Sequence, residues 1–278
     1  MTTTLRPAGP EQRLPDGGRD RSWLVCANGH PVGRVRTAAT PHGSHLLGRI
    51  EDLEITESPR RGRGTVAALA AEEVLRSWDC RWAEVRIPAG AAAALSLAAA
   101  LGYAETNRNL VKRLGPPPAP RPGLTLRPID AVGFPAWLAA AQAEYRDQLV
   151  RSGLTPAEAA AKCAAAHTHL LPDGHASADT ALRELLADGR PVGRLWVALH
   201  SRPLPDGTPS GWVMTVDVDP AERGKGFGRE LMLAAERECL AAGLPALGLN
   251  VYTANVVALG LYASLGYRVV RRIFGKAL

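Results

Sequence analysis

The chain has 278 residues, of which 46% are hydrophobic and 22% are charged, and its formal net charge is +6. This composition excludes an intrinsically disordered protein and allows one large core or two ordinary ones, so two domains are expected. The sequence has no run of about 18 uncharged apolar residues and no apolar signal-peptide core near its start, which predicts a cytoplasmic protein without a membrane-inserted segment.

Cysteines and basic residues exclude two further classes of protein. The four cysteines stand singly, without the spacing of a zinc site or a disulfide framework, so buried thiols and no bound metal are expected. They are Cys26, Cys80, Cys163 and Cys239.

The Lys and Arg residues are spread along the chain rather than gathered in one dense stretch, which argues against nucleic acid as a partner.

One order of short phrases occurs twice. "LRP" stands at 5 and 126, "PVGR" at 31 and 191, "RGRG" at 61 against "RGKG" at 223, and "LGY" at 101 and 265. The stretch "GPPPAPRPG" between the copies favours an extended, stiff spacer because proline cannot join a helix or a central strand. We therefore predict a first repeat at 1–114, a linker at 115–123 and a second repeat at 124–278.

The second repeat begins with a segment that the first repeat lacks. "FPAWLAAAQAEYRDQLVRSG" and "TPAEAAAKCAAAHTHLL" have helical patterns, and Thr155, Pro156 and Glu158 form a capping-box sequence. Two antiparallel strands are predicted next, in "RPVGRLWVALH" and "GWVMTVDVDP". Extra helices in one repeat alone are a place where a substrate pocket can form.

The rest of the second repeat alternates helices and strands. A helix is predicted from 227 to a stop at Gly243, followed by the strand "ALGLNVYT", a helix in "NVVALGLYASLG" ending at Gly266, and the closing strand "YRVVRRIFG". This mixture is typical of an α/β domain built around a central sheet.

A glycine-rich loop joins a predicted strand to a predicted helix in "VDVDPAERGKGFGREL". The unpaired N–H groups at a helix start favour an anion such as phosphate, and glycine lets the backbone approach it closely. The loop fits neither the GxGxxG dinucleotide motif nor the P-loop. Its spacing, from Arg223 to Gly226 and Gly228, is RxxGxG.

RxxGxG after "VDVDP", followed by "LNVYTANVVALGLYASLGY", resembles the GNAT acyltransferase superfamily over nearly all of 124–278. The resemblance implies two tandem GNAT-like domains, each an α/β fold with a mixed, mostly antiparallel central sheet flanked by helices. It implies acetyl-CoA or another acyl-CoA as cosubstrate, with the strand backbone at Val216 and Val218 along the pantetheine. The loop residues that would hold the pyrophosphate are Arg223, Gly224, Lys225, Gly226, Phe227 and Gly228.

The resemblance also places Asn255 against the pantetheine arm and Tyr262 beside the thiol sulfur. The two residues are two helical turns apart and so share a face. A phenol can protonate the leaving thiolate, so Tyr262 is the predicted general acid. The alternatives are a tyrosine packed beneath the sheet and, for Asn255, a helix N-cap, which does not exclude ligand binding.

The acceptor amine also needs a base. Asp217 is on the opposite face of its strand from Val216 and Val218, and it is the predicted base, with a solvated strand residue as the alternative. Glu144, Tyr145 and Trp196 are predicted to bind the acceptor. For Glu144 and the neighbouring Asp147, a solvent-exposed helix face is the alternative interpretation.

The first repeat lacks the chemical side chains. Aligned on "LGY", Ala91 stands where the second repeat has Asn255, and Ala98 where it has Tyr262. Aligned on "RGRG", Val66 falls where Gly228 stands, and the turn "TESPR" before the loop is one residue longer. We expect this repeat to fold without catalysing.

The expected activity is N-acyl transfer, most simply of acetyl from acetyl-CoA to the primary amine of a small molecule by direct attack, because no Cys or Ser stands in a nucleophilic constellation. A monomer or homodimer is expected. Two alternatives stay open: a non-catalytic acyl-CoA sensor or scaffold, and an aminoacyl-tRNA-dependent transferase. The loop and the absence of a basic patch argue against the latter, and Tyr262 with Asn255 argues against the former.

Overall fold

The structure is a computed structural model that describes residues 2–57, 62–199 and 203–278. Over its described residues, the first repeat contains seven strands and two helices. They are β1 Thr3–Pro7, β2 Gln12–Arg13, β3 Arg19–Ala27, β4 His30–His42, β5 His45–Ile55, α1 Arg63–Ser77, β6 Cys80–Pro88, α2 Ala92–Ala100 and β7 Ala104–Arg113.

The second repeat contains six strands and four helices within the residues described. They are β8 Leu124–Pro128, α3 Phe134–Arg151, α4 Pro156–Leu170, β9 Thr180–Ala187, β10 Arg190–Ala198, β11 Gly211–Val218, α5 Phe227–Ala241, β12 Ala246–Tyr252, α6 Val256–Ser264 and β13 Arg268–Ala277. Each repeat runs strand, helix, strand, helix, strand through its last five elements. The two extra helices, α3 and α4, occupy the segment that the sequence predicts.

Two compact units make up the chain, and neither coincides with one repeat. The first unit runs up to Asn107 and includes Arg271–Leu278, whereas the second unit is Arg108–Val270. The strand order is β1-β3-β4-β5-β6-β13 in the first unit and β7-β12-β11-β10-β9-β8 in the second, with β2 on β3. The partition of the sequence into domains at 1–114 and 124–278 stays a prediction.

The sheet of each unit is mixed and mostly antiparallel, as the family resemblance implies. In the first unit β5 pairs parallel to β6, and the pairs β3 with β4 and β4 with β5 are antiparallel. In the second unit β11 pairs parallel to β12, and β10 is antiparallel to both β9 and β11. The predicted antiparallel pair of strands before the glycine loop is therefore confirmed.

Local signals in the sequence explain where the helices begin and end. Thr155 accepts a hydrogen bond from the Glu158 N–H, and the Glu158 carboxylate accepts one from the Thr155 N–H, so the predicted capping box is confirmed. Gly243 and Gly266 have φ angles of 74° and 87°, which place both in the left-handed conformation that ends a helix.

Each unit has its own apolar core. α5 buries Leu231, Met232 and Ala235 completely against the second-unit sheet. α1 buries Ala67, Ala71 and Leu75 against the sheet of the first unit. These positions recur at helical spacing, so one face of each helix carries the burial.

The thiols of the described ranges are buried, as the isolated cysteines predict. All four cysteines are free and buried. Desolvation raises the pKa of the Cys239 thiol to about 12, so that thiol stays protonated at neutral pH. Of the helices described, none is long and apolar enough to cross a bilayer.

Candidate active site

An anion-binding loop precedes α5. From β11 the chain makes a 3₁₀ turn at Pro220–Glu222 and enters α5 through Gly224 and Gly226, whose φ angles of 80° and 85° lie in the left-handed region. Gly226 is the N-cap of α5, and no side chain caps this helix. The first N–H groups of α5 are thus open to a ligand at the end of the helix that favours negative charge, which is where a phosphate binds.

Two cations of the loop extend into solvent beside this helix start. The Arg223 side chain is 65% exposed, and its Nε donates to the Val218 carbonyl at 3.2 Å. The Lys225 side chain is 54% exposed, and its Nζ lies 2.8 Å from a Glu222 carboxylate oxygen. Both can reorient toward an anionic ligand because exposed ion pairs hold their partners weakly.

Arg121 is a third cation beside the loop, and it was not predicted as a site residue. Its Nη1 donates to the Lys225 carbonyl at 3.0 Å, and its guanidinium lies 5.0 Å from the centre of the Phe227 ring. Arg121 belongs to the Pro-rich linker, far from the loop in sequence. No local pattern could identify it, because only the folded chain places it beside α5.

The strands β11 and β12 are paired over a short stretch only. Their parallel register joins Gly211–Val213 to Leu247–Leu249. On its other edge β11 carries an irregularity, because Thr215 pairs with Trp196 while Val213 pairs with Val197, which leaves Met214 as an extra residue. The side chains of Val216 and Val218 pack against the core. The described register joins β12 only to 211–213, so the backbone of 214–218 is not paired with β12 in it.

α6 lies close to the first turn of α5. A Cβ atom on Gly228 would stand 3.3 Å from the Leu261 side chain, so glycine at this position allows the two helices to approach. α6 starts at its N-cap Asn255, whose side-chain oxygen accepts from the Ala258 N–H at 3.1 Å. The alternative interpretation of Asn255 as a helix N-cap is confirmed, and its role toward a ligand stays a prediction.

Tyr262, one residue after Leu261, is partly buried. Burial raises the pKa of its phenol, so it is protonated at neutral pH. Its ring lies edge-on to the Tyr267 ring with centroids 6.0 Å apart. Among the residues that the structure describes, none hydrogen-bonds the Tyr262 hydroxyl, which is thus free to donate to a ligand. This is the property that a general acid requires.

Two carboxylates interact near the end of β11. Glu144 of α3 lies on a solvent-exposed face of its helix, as the alternative interpretation has it, and partial desolvation followed by the Asp217 charge raises the pKa of its carboxyl. The Asp217 side chain is 47% exposed and lies 3.9 Å from Arg223. The predicted base and a predicted acceptor-binding residue are therefore close together in the fold. Such a pair of like charges attracts an ammonium group.

Aromatic side chains continue from this acidic pair. The pKa of Tyr145 is raised by burial and by its neighbours Cys163 and Tyr252, so α3 also reaches the end of β12. The Tyr145 ring lies 6.0 Å from the ring of His167, which lies 5.7 Å from that of Trp196.

Trp196 lies at the inner end of these aromatic side chains. It is 4% exposed, and its indole N–H donates to Thr180 at 3.0 Å. It supports this aromatic wall from within, and its direct contact with an acceptor stays a prediction. Over the ranges described, no group of His, Cys, Asp or Glu could hold a metal ion.

The equivalent loop of the first unit differs in one respect from the sequence alignment. α1 has its N-cap at Gly62, with a φ angle of 74°, just as α5 has its N-cap at Gly226. A Cβ on Gly64 would contact Leu97, as one on Gly228 would contact Leu261. The alignment that placed Val66 opposite Gly228 is therefore wrong: identical letters were matched two positions out of register.

The chemical difference between the two loops lies beside the cap. Arg63 begins α1 where Phe227 begins α5; it is 6% exposed and pairs with Glu57. The turn "TESPR", which was predicted to contain one extra residue, spans 56–60, and its residues 58–60 lie outside the described residues. For α2 the alignment holds, because Ala91 occupies its N-cap position as Asn255 does in α6, and Ala98 is buried in this helix.

A cavity of about 560 Å³ lies in the first unit at this place. Its walls come from β5, β6 and α2, and include Ile50, Leu53, Val85, Ile87, Ala91 and Ala98. The two alanines that replace Asn255 and Tyr262 thus line a cleft whose tyrosine is Tyr103, at the position that Tyr267 has in the second unit, and the position of Tyr262 carries no hydroxyl.

Comparison with known proteins agrees with this geometry. The family model described as Acetyltransferase (GNAT) family matches residues 144–267. A mycothiol acetyltransferase from Thermomonospora curvata is 31% identical over 260 residues, covering 90% of this chain and 80% of the relative. One from Nocardia farcinica is 30% identical over 261 residues, covering 91% of this chain and 81% of the relative.

Two solved structures share the fold. A tandem GNAT protein from the clavulanic acid biosynthesis pathway has a TM-score of 0.54 at 19% identity, covering 95% of this chain and 84% of that chain. A GCN5-related N-acetyltransferase from Sphaerobacter thermophilus has a TM-score of 0.60 at 19% identity, covering 92% and 80%. The chain described here belongs to the GNAT acetyltransferase family and is a tandem-domain N-acetyltransferase homologous to the mycothiol acetyltransferases.

Proposed function

We propose that the second repeat transfers an acetyl group from acetyl-CoA to the primary amine of a small molecule, by direct attack in a ternary complex. The observation that carries the proposal is the convergence of three features. They lie where β11 and β12 part: the start of α5, which has no side-chain cap and is flanked by cations; the end of β11, whose backbone is not paired with β12; and the protonated Tyr262.

CoA would extend from the glycine-rich loop, past the point where β11 and β12 part, to Tyr262. The pyrophosphate would accept hydrogen bonds from the backbone of Gly224, Gly226 and Gly228, with Arg223 and Lys225 supplying charge. Gly228 supports this arrangement, because the absence of a side chain there brings α6 close to the loop.

Beyond the pyrophosphate, the pantetheine arm would lie along β11. The backbone groups of Val216 and Val218, which are not paired with β12, would bind its amides, and Asn255 would contact it from the start of α6. The thioester would then come to rest beside Tyr262. Backbone pairing of this kind fixes the reacting carbonyl in one position.

The chemical step balances with groups of this chain. The amine nitrogen attacks the thioester carbonyl carbon, the new C–N bond forms, and the C–S bond breaks as the intermediate collapses. The Tyr262 hydroxyl donates its proton to the leaving thiolate, and the second proton of the attacking nitrogen, lost as the amide forms, returns through water to the Tyr262 oxygen. Asp217 takes the proton that the ammonium loses before attack, through a water molecule, and Glu144 stabilises the incoming positive charge.

The acceptor would lie between α3 and the end of β11. Glu144 and Asp217 supply negative charge there, and Tyr145 supplies an aromatic wall. The relatives over most of the chain are named mycothiol acetyltransferases, so a small amine related to mycothiol is the acceptor that we propose to test first.

The test is release of free thiol from acetyl-CoA in the presence of amino sugars, amino acids, their conjugates and polyamines. We expect release that depends on one class of amine and falls strongly in Tyr262→Phe. Tyr103→Phe is the matched control, since Tyr103 belongs to the first unit. Tight binding of acetyl-CoA without release from any amine would reject the transferase in favour of a binding protein.

A further inference from the structure

Each unit contains a carboxylate that is buried on its central helix. Glu236 of α5 and Glu72 of α1 are both 1% exposed. A carboxylate in such a place requires a cation and hydrogen bonds, because desolvation of an unpaired charge is costly. A lysine meets this requirement in both units, and in the first unit Arg76 also lies 3.5 Å from Glu72.

The lysine comes in each unit from the last strand of the other repeat. Lys112 of β7 places its Nζ 2.7 Å from both carboxylate oxygens of Glu236 in the second unit. Lys276 of β13 places its Nζ 2.9 Å from both oxygens of Glu72 in the first unit. The two repeats have thus exchanged their closing strands, and each strand brings the cation that the other repeat needs.

A tyrosine adjoins each buried group. In the second unit the Tyr267 hydroxyl donates to Glu236 at 3.2 Å, and Lys112 lies 5.7 Å from the centre of its ring. In the first unit Tyr103 takes the corresponding place, and Lys276 lies 5.4 Å from the centre of its ring. Burial and then the Glu72 charge raise the pKa of Tyr103, but its buried hydroxyl has no hydrogen-bond partner among the described residues.

Only the second-unit group continues to the candidate active site. The Tyr267 N–H donates to the Tyr262 carbonyl at 3.0 Å, and the two rings pack edge to face. In the first unit the Tyr103 N–H donates to the carbonyl of Ala98, which has no ring. A shift of Tyr267 would therefore move Tyr262, whereas the same shift of Tyr103 moves no chemical group.

We propose that Lys112, which the first repeat contributes, is a positioning residue for Tyr262 in the second. Lys112 fixes Glu236, Glu236 fixes the Tyr267 hydroxyl, and Tyr267 fixes the Tyr262 ring. The proposal rests on the proposed role of Tyr262 in acetyl transfer. It also gives the first repeat a function despite its lack of catalytic side chains, because its last strand completes the catalytic unit.

The test compares Lys112→Met with Lys276→Met, since each removes the lysine of one buried group. We expect the loss of thermal stability to be smaller in Lys276→Met, because Arg76 still lies 3.5 Å from Glu72, and KM for acetyl-CoA to be unchanged in both. Only Lys112→Met should lower kcat, by about tenfold, because a displaced catalytic group reacts slowly even when substrate is bound. In the double variant Lys112→Met, Glu236→Gln no charge is left unpaired, and the Gln oxygen still accepts from Tyr267, so kcat should recover.

A readout independent of activity separates this proposal from the proposed function. The chain has five tyrosines, so protein labelled with 3-fluorotyrosine gives few ¹⁹F resonances, and the one absent in Tyr262→Phe belongs to Tyr262. That resonance should shift in Lys112→Met, return in the double variant and stay in place in Lys276→Met. An unmoved resonance in folded Lys112→Met, or equal kcat losses in the two single variants, would overturn the positioning role. Full activity of Tyr262→Phe would instead reject the role of Tyr262 as general acid, whereas the resonance would still report whether Lys112 positions its ring.

Discussion

The two units share one backbone arrangement but differ in the side chains that it carries. α2 and α6 both follow the second strand of a parallel pair, and α1 and α5 both start at a left-handed glycine. In the second unit this arrangement presents Tyr262, a polar N-cap and exposed cations. In the first it presents alanines and an arginine that is buried against Glu57. The difference shows that the fold alone does not make the site, and that a few side chains decide it.

The largest expected effect comes from making the second unit resemble the first at Tyr262. Tyr262→Phe removes the proton donor and keeps the ring, so kcat should fall by about 10²-fold or more, within the range of general acid catalysis, while KM changes little. Steady-state thiol release measures both constants. Tyr103→Phe should keep the wild-type kcat, and an equal loss in that variant would place the chemistry elsewhere.

A smaller effect is expected on the acceptor side, which only the second repeat possesses. Glu144→Gln removes a charge that would hold the ammonium, so KM for the amine should rise about tenfold, the usual value of a charged hydrogen bond. KM for acetyl-CoA should stay constant. Asp147→Asn, an exposed acid on the same helix, serves as the control. If both variants raise the KM equally, general attraction by α3 rather than a specific contact binds the amine.

The two cap glycines allow the most closely matched comparison. Gly226→Ala and Gly62→Ala each force a side chain into a left-handed conformation, at a cost of roughly 1–2 kcal/mol of stability. Gly226→Ala alone should also raise KM for acetyl-CoA, by about threefold, because strain displaces the loop N–H groups from the phosphate. Chemical denaturation and initial rates report the two quantities. A rise in KM for Gly62→Ala would show that the first-unit loop contributes to the reaction.

Local patterns in the sequence predicted much of this molecule. The order of strands and helices, the capping box at Thr155 and the ends at Gly243 and Gly266 all depend on a few neighbouring residues, so they are visible without the fold. The anion-binding loop was visible for the same reason, because glycines and cations stand together in it.

The remaining features depend on contacts between residues distant in sequence. Arg121 reaches the loop across about a hundred positions, and Lys112 reaches Glu236 across a similar span. The exchange of β7 and β13 was not predicted, since the repeated phrases suggest that each repeat closes its own sheet. Matching "RGRG" to "RGKG" gave the wrong equivalence for Gly228, because the helix start and not the repeated letters sets the register.

If Tyr262 is the general acid of a site in the second unit, its proton must control the pH dependence of kcat. An acid must be protonated, so activity falls as the pH rises through its pKa, and burial raises the pKa of Tyr262 above that of an ordinary tyrosine. The wild-type profile should therefore stay level through neutral pH and fall only above about pH 10, the usual tyrosine value. In Tyr262→Phe that alkaline fall should be absent. An alkaline fall that persists unchanged in Tyr262→Phe would contradict the assignment.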